Sequence, residues 1–395
     1  MKYDIYVDNA ATTKMSDEVL STMLPFFTEN YGNAASTHKM GSFTRKSIDN
    51  VRNIISEAIG ASNPNEIYFT GTGTEADNWA IKGIAFANKN KGNHIITTSI
   101  EHHAILHPCE DLEKNYGFEI TYLKVKENGI IDIENLKNAI KPTTILISVM
   151  FCNNETGAIQ PINEIGAIAK QNNVYFHTDA VQALAYIPIN VESMGIDLLS
   201  LSAHKLYGPK GIGALYVSNN VKIIPILHGG GQERHRRAGT QNVPAIVGFG
   251  EAVRLAKETQ LNEVERLKKL TKKLIKGITE NIPATKINGD ETNRMPHIVN
   301  ITFSFIESEG LLMFLDNRGI TASGGSACSS GSFEPSHVLT AMGVSTHESH
   351  GSLRISLGRY NTEEDVDIII KELPTVVSQL RKLSPAYKKY LNENS

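Results

Sequence analysis

The chain has 395 residues, enough for two or three ordinary domains. Its 41% hydrophobic and 21% charged residues exclude a disordered or fibrous chain, and a net charge of -3 is too mild to point to nucleic acid, a membrane surface or a highly charged substrate. Three cysteines, Cys109, Cys152 and Cys328, cannot build a disulfide framework and fit a reducing compartment. The start Met1-Lys2-Tyr3-Asp4-Ile5 lacks the apolar core of a signal peptide, and no apolar run approaches the ~20 residues of a spanning helix. A cytoplasmic protein without membrane contact is expected.

In chain order, apolar runs predict strands over 66–70, 94–98, 119–124, 144–150, 174–179, 197–202 and 213–217. Helix-period segments over 43–59, 75–88, 103–116, 133–140 and 162–171 lie between them. Such alternation implies an α/β fold with a mainly parallel central sheet and helices on both faces. Ligands bind outside the carboxyl ends of strands in such sheets, which directs attention to the residues just after each strand. Beyond residue 250 the pattern changes. A long helix over 251–281 leads to a strand over 297–303, a helix near 310–318, a strand near 353–357 and a closing helix over 362–383. This predicts a large domain over 15–258 and a smaller α+β domain made of 1–14 and 259–395.

The chemistry-bearing residues follow the predicted strands. Ser200-Leu201-Ser202-Ala203-His204-Lys205 places a lysine just past a strand end. Among apolar and hydroxyl groups such a lysine can lose its proton and form a Schiff base with an aldehyde, where an isolated lysine reads as a surface turn. Ser202 and His204 beside it are candidates to hold a phosphate. Val174-Tyr175-Phe176-His177-Thr178-Asp179 ends a buried strand in a carboxylate suited to pairing with a protonated pyridine nitrogen, or simply to capping the next helix. Gln182 follows three residues later, within reach of a phenolic oxygen on the same ring.

Thr70-Gly71-Thr72-Gly73-Thr74-Glu75 joins a strand to a helix. Gly73 and Thr74 there can cradle an anion at the helix N-terminus, although the segment is neither a P-loop nor a GxGxxG motif. His102, in Ile100-Glu101-His102-His103, and Asn154, in Cys152-Asn153-Asn154-Glu155, also follow strands. An imidazole at the first can stack on a ring or move protons, and the second can contact a ring oxygen substituent. His103 and His107 share a helix face, but with Pro108 beside them and too few ligands they do not make a metal site. The basic run Arg234–Arg237 has an acidic neighbour, Glu233, and an acidic chain around it, which argues against nucleic acid.

Taken together and in this order, these segments resemble the fold-type I pyridoxal-phosphate enzymes, and in detail the cysteine desulfurases of the NifS/IscS class. The similarity runs from Ile5-Tyr6-Val7-Asp8-Asn9-Ala10-Ala11-Thr12-Thr13 to Ser356-Leu357-Gly358-Arg359-Tyr360-Asn361-Thr362-Glu363-Glu364, nearly the whole chain. Its most discriminating motif is Ala322-Ser323-Gly324-Gly325-Ser326-Ala327-Cys328-Ser329-Ser330-Gly331. In the resembling family a mobile Gly/Ser loop carries the cysteine that accepts sulfur.

The resemblance implies pyridoxal 5'-phosphate on Lys205, with Gly73, Thr74, Ser202 and His204 at its phosphate and His102, Asn154, Asp179 and Gln182 at its ring. It implies Thr240 reaching the cofactor of a partner subunit, hence a homodimer. Arg354 is expected to grip the substrate carboxylate, assisted by Asn33. The expected reaction takes sulfur from L-cysteine, leaves alanine and a Cys328 persulfide, and passes the sulfur to an acceptor protein such as an iron–sulfur scaffold or a thiolation enzyme. Lys205, Cys328 and His102 are the catalytic candidates. Two departures from the family pattern stand out: Ala203 where glycine is common, and Ala34-Ala35 for the usual Asn-Pro-type continuation. An aminotransferase or selenocysteine lyase of the same fold, or a phosphate-binding module without catalysis, are the alternatives.

Overall fold

The protein is described by a computed structural model covering residues 3–324 and 335–394. Cys328 and its immediate neighbours lie outside the described residues.

The strands in chain order are β1 Ile5–Tyr6, β2 Ile67–Thr70, β3 His94–Thr98, β4 Glu119–Leu123, β5 Thr144–Ser148, β6 Tyr175–Asp179, β7 Leu198–Ser202, β8 Gly213–Val217, β9 Thr285–Asn288, β10 Ile298–Phe303, β11 Ile320–Thr321, β12 Ser323–Gly324 and β13 Ser352–Ser356. Seven of them form the central sheet in the order β2-β8-β7-β6-β5-β3-β4. The pairs from β7 through β6, β5 and β3 to β4 are parallel, and β8 runs antiparallel between β7 and β2. Strands β3, β5 and β7 are buried along their whole length, as expected of a sheet covered on both faces. The predicted parallel sheet is therefore present at the predicted positions.

Local chemistry sets the helix starts. Thr72 caps the helix Gly73–Asn88 by accepting from the Glu75 N–H, so that helix begins two residues before its apolar period shows. His38 caps Lys39–Ile59 in the same way through Nδ1. The long helix starts at Val243 rather than at 251 and runs to Asn281. Asn242 caps it and Pro244 sits in its first turn, but its opening residues are buried almost all round and carry no amphipathic period. At Gly250 a Cβ would come within 2.7 Å of Val51, so only glycine lets this helix approach Lys39–Ile59 so closely. The expected domain division at 258 falls inside this helix. Its carboxyl half packs against the closing helix Glu363–Leu383, whose start carries the Thr362/Asp365 capping box. A last helix, Pro385–Asn394, follows without having been expected.

The second sheet runs β12-β13-β10-β9 and is antiparallel. The N-terminal arm ties the two sheets together. β1 pairs in parallel with β11, and Asp8 bridges to Ser356 at the end of β13. The arm then crosses to the central sheet, where Thr13 donates to the His204 carbonyl and accepts from the Tyr207 N–H. No helix among the described residues is long and apolar enough to cross a membrane.

Candidate active site

A cavity of about 490 Å³ opens at the carboxyl ends of the central strands. Residues following β2, β3, β5, β6 and β7 line it: Gly73 and Thr74, His102, Asn154, Asp179 and Gln182, and Ser202, His204 and Lys205. Arg354 closes it from β13. Ten of the expected residues thus meet in one cavity.

Lys205 ends the short 3-10 turn Ala203–Lys205 that follows β7. Its Nζ donates to the carbonyls of Ala10 and Ala11, both at 2.6 Å. Gln182 Nε2 also donates to the Ala10 carbonyl, at 2.8 Å, which fixes the carboxamide beside the lysine. Asp179 accepts from the Val181 N–H at 2.9 Å. Burial raises its pKa to about 6, a rise held back by that N–H and by the Lys205 charge. His204 Nδ1 meets the Thr12 hydroxyl at 3.1 Å, and burial next to Lys205 and Lys210 lowers its pKa to about 4. Gly73 opens a 16-residue helix, so its N–H belongs to the unsatisfied first turn. A Cβ there would lie 3.0 Å from Val181 Cγ2 and 3.2 Å from Ser202 Cβ, so the absence of a side chain preserves the space against that turn.

His102 caps the helix His103–Tyr116, accepting from the Ala104 N–H through Nδ1. Burial, then Lys205 and the neighbouring imidazoles, lower its pKa to about 4. The ring is therefore neutral at physiological pH. Arg354 is 1% exposed. It donates from Nη1 to the Asn154 carbonyl at 3.0 Å and from Nη2 to Asp8 Oδ1 at 2.8 Å. Cys152 lines the cavity as a buried thiol whose pKa burial pushes well up, in keeping with a core residue rather than a nucleophile.

Asn33 is not brought to the cavity, and Thr240, expected at a partner subunit's cofactor, lies outside it. Asn33 is exposed, and its carboxamide accepts from the Ala35 N–H nearby. Thr240 is also exposed and away from the cavity lining. It follows a turn in which Glu233, Arg234 and His235 take the left-handed φ values 45°, 56° and 63°. The buried Glu233 carboxylate holds that turn through Arg52, the Phe69 N–H and Gln241. The basic run is occupied within the fold: Arg234 donates to the carbonyls of Asn65 and Ile67, and Arg237 pairs with Glu75.

Three features of the site give little signal in the sequence. The carbonyls of Ala10 and Ala11 carry no side-chain signal. Asp77, which lines the cavity, and Glu101 are buried carboxyls, and the Oδ1 of the first and the Oε2 of the second have no hydrogen-bond partner among the described residues. Burial and then the nearby Asp179 charge hold Asp77 well above the usual carboxylate range, while burial raises Glu101 to about 8. His177, between the hydroxyls of Ser148 and Ser200, is lowered to about 3 by burial. Burial thus favours the protonated form at Asp77 and Glu101, while the Val181 N–H and the Lys205 charge favour the anion at Asp179. A signal for Asp77 existed: it sits in register with Ala80, Ile81 and Ile84 on the apolar stripe of its helix.

The family model for aminotransferase class-V matches residues 5–369. The chain belongs to that family. A protein named cysteine desulfurase IscS from Clostridium botulinum is 54% identical over 393 residues, 99% of this chain and 98% of the relative. A solved structure titled NifS-like protein aligns with a TM-score of 0.90 at 37% identity, over 96% of this chain and all of the other. Another, titled SspA in complex with cysteine, aligns with a TM-score of 0.80 at 39% identity, covering 91% of this chain and all of that one. Cysteine desulfurases of class V depend on pyridoxal 5'-phosphate, and that is the cofactor of this chain. The cavity fits it: an amine, a buried carboxylate and a helix N-terminus cleared by glycine meet the three needs of an aldehyde, a pyridine nitrogen and a phosphate.

Proposed function

We propose that the protein takes sulfur from L-cysteine, releases L-alanine and hands the sulfur on from Cys328. The observation that carries this reading is the meeting of Lys205, Asp179, His102 and Arg354 in one cavity. Bound there, pyridoxal phosphate withdraws electrons from the substrate Cα, which makes its proton acidic and its β-substituent labile. Asp179 keeps the ring nitrogen protonated. Gly73, Thr74, Ser202 and His204 hold the phosphate, with Asn154 and Gln182 at the ring.

Lys205 Nζ would hold the cofactor and, at the same end of the cavity, would carry the Cα proton. Arg354 fixes the α-carboxylate with its planar fork. His102, neutral in the resting site, accepts the substrate thiol proton and holds it for later return. The Cys328 thiolate attacks the substrate sulfur, forming an S–S bond as the carbon–sulfur bond breaks. The bonding pair stays on Cβ, which takes up a proton and leaves as the methyl group of alanine. An acceptor thiol then removes the outer sulfur.

The acceptor is a protein of iron–sulfur cluster assembly or another thio-modification. We further propose a cytoplasmic homodimer in which Thr240 serves the partner's cofactor. The exposed Leu24, Phe27, Tyr31 and Phe43 on and between the first helices supply apolar surface of the kind dimers bury. The test is incubation of the cofactor-loaded protein with L-cysteine and a dithiol. One alanine per sulfide is expected. A keto acid in place of alanine would instead indicate an aminotransferase, and turnover of L-selenocysteine alone a selenocysteine lyase.

A further inference from the structure

Arg354 does not wait for its ligand alone. Its Nη2 already holds a carboxylate, Asp8 Oδ1, at 2.8 Å, and its Nη1 holds the Asn154 carbonyl at 3.0 Å. Nε is buried with no acceptor among the described residues. The Arg354 side chain, which lines the cavity, is 1% exposed and that of Asp8 15%, so the pair is largely shielded from solvent. Glu155, the next residue after Asn154, is turned to the Ser336 hydroxyl, and burial lifts its pKa to about 7. Asp8 is thus the standing countercharge of the guanidinium.

The backbone around Asp8 is fixed. Asp8 bridges to Ser356, two residues past Arg354 on β13, and its carbonyl accepts from the Tyr6 hydroxyl and the Ala11 N–H. The same turn presents the Ala10 and Ala11 carbonyls to Lys205.

We infer that Asp8 is a positioning and specificity residue for the substrate carboxylate: it aims the Arg354 fork and, as a resident carboxylate on that fork, keeps α-carboxylate binding weak. The inference rests on the reading of Arg354 as the carboxylate grip of an amino-acid enzyme. An incoming carboxylate meets a guanidinium already half satisfied and a like charge beside it. Substrate and product carry the same carboxylate, so attraction to it is uniform binding that lowers KM without speeding chemistry and delays product release. A device that weakens it equally for both favours turnover.

The test is calorimetric binding of L-alanine and of L-alaninamide to the cofactor-loaded protein, parent beside Asp8→Asn. The asparagine keeps an oxygen for Nη2 and removes the charge. L-alanine is expected to bind about tenfold more tightly and KM for L-cysteine to fall in parallel, with kcat unchanged or lower. Affinity for L-alaninamide, which lacks the carboxylate, stays within about twofold. Asp8→Ser, with the charge also removed, reproduces the direction if the asparagine variant folds poorly. A parent protein that binds L-alanine, with both variants unchanged or weaker in affinity, overturns the inference alone; a merely structural Asp8 would give this result together with a lower melting temperature. A parent protein that neither binds L-alanine nor turns over L-cysteine overturns the substrate reading, and the inference with it.

Discussion

Ser323 is the register partner of Arg354 across the antiparallel pair of β12 and β13. The segment that bears Cys328 therefore leaves the described structure beside the residue assigned to the substrate carboxylate. Cys328 follows Ser323 by five positions in the sequence. Ser336 donates to Glu155 and His337 Nε2 meets the Glu101 carbonyl at 2.9 Å, which anchors these two residues to the segments that follow β5 and β3.

Lys205 is proposed both to hold the cofactor and to carry the Cα proton. Lys205→Ala should purify without covalently held cofactor, and turnover of L-cysteine should fall by about 10³-fold or more. A denaturing chromatogram followed by mass analysis shows whether cofactor remains attached. Retained covalent cofactor would move the attachment to another amine.

His102 is neutral because its folded pKa, about 4, lies below that of a solvated imidazole. Acidification from about pH 8 to pH 5.5 protonates a free histidine but leaves this ring uncharged. Its ring signals in an NMR titration should stay flat over that range and move only near pH 4. His102→Gln should keep the cofactor and lose about 10²- to 10⁴-fold in turnover.

Glu101 carries the opposite sign. Its folded pKa, about 8, stands above the unfolded value of 4.5, so the folded form holds a proton that the unfolded chain has lost. Its contribution is full below the unfolded pKa and is lost as pH rises through the folded one. Stability of the cofactor-free protein should fall between about pH 5 and pH 8 by on the order of 3 kcal/mol from this group. Glu101→Gln should flatten that decline, as read by denaturant titration at a series of pH values.

Arg354→Lys keeps the charge and loses the fork. The value of kcat/KM for L-cysteine should drop by about 100-fold, most of it in KM, while the visible spectrum of the bound cofactor persists. An unchanged KM would remove Arg354 from the substrate.

The alternation of apolar runs and helical periods was enough to locate the central strands, and the rule of strand carboxyl ends led from there to Lys205, Asp179, His102 and Asn154. What stayed hidden has physical reasons. The helix residues 243–250 are buried on nearly every side and so show no period. Asp77 and Glu101 look like ordinary helix-start acids until the fold buries them together. The Ala10 and Ala11 carbonyls act through backbone alone, and Asp8 gains its meaning only when a bridge of 348 positions in sequence sets it beside β13. Asn33, expected at the carboxylate, faces solvent instead.

The central claim is that sulfur leaves cysteine by way of Cys328. Its most direct measurement compares alanine formed from L-cysteine by the parent protein and by Cys328→Ser, both loaded with cofactor to the same visible absorbance. The account predicts steady alanine production with a persulfide on Cys328 in the parent, and no alanine from the variant. A serine variant that makes alanine at the parent rate would contradict it.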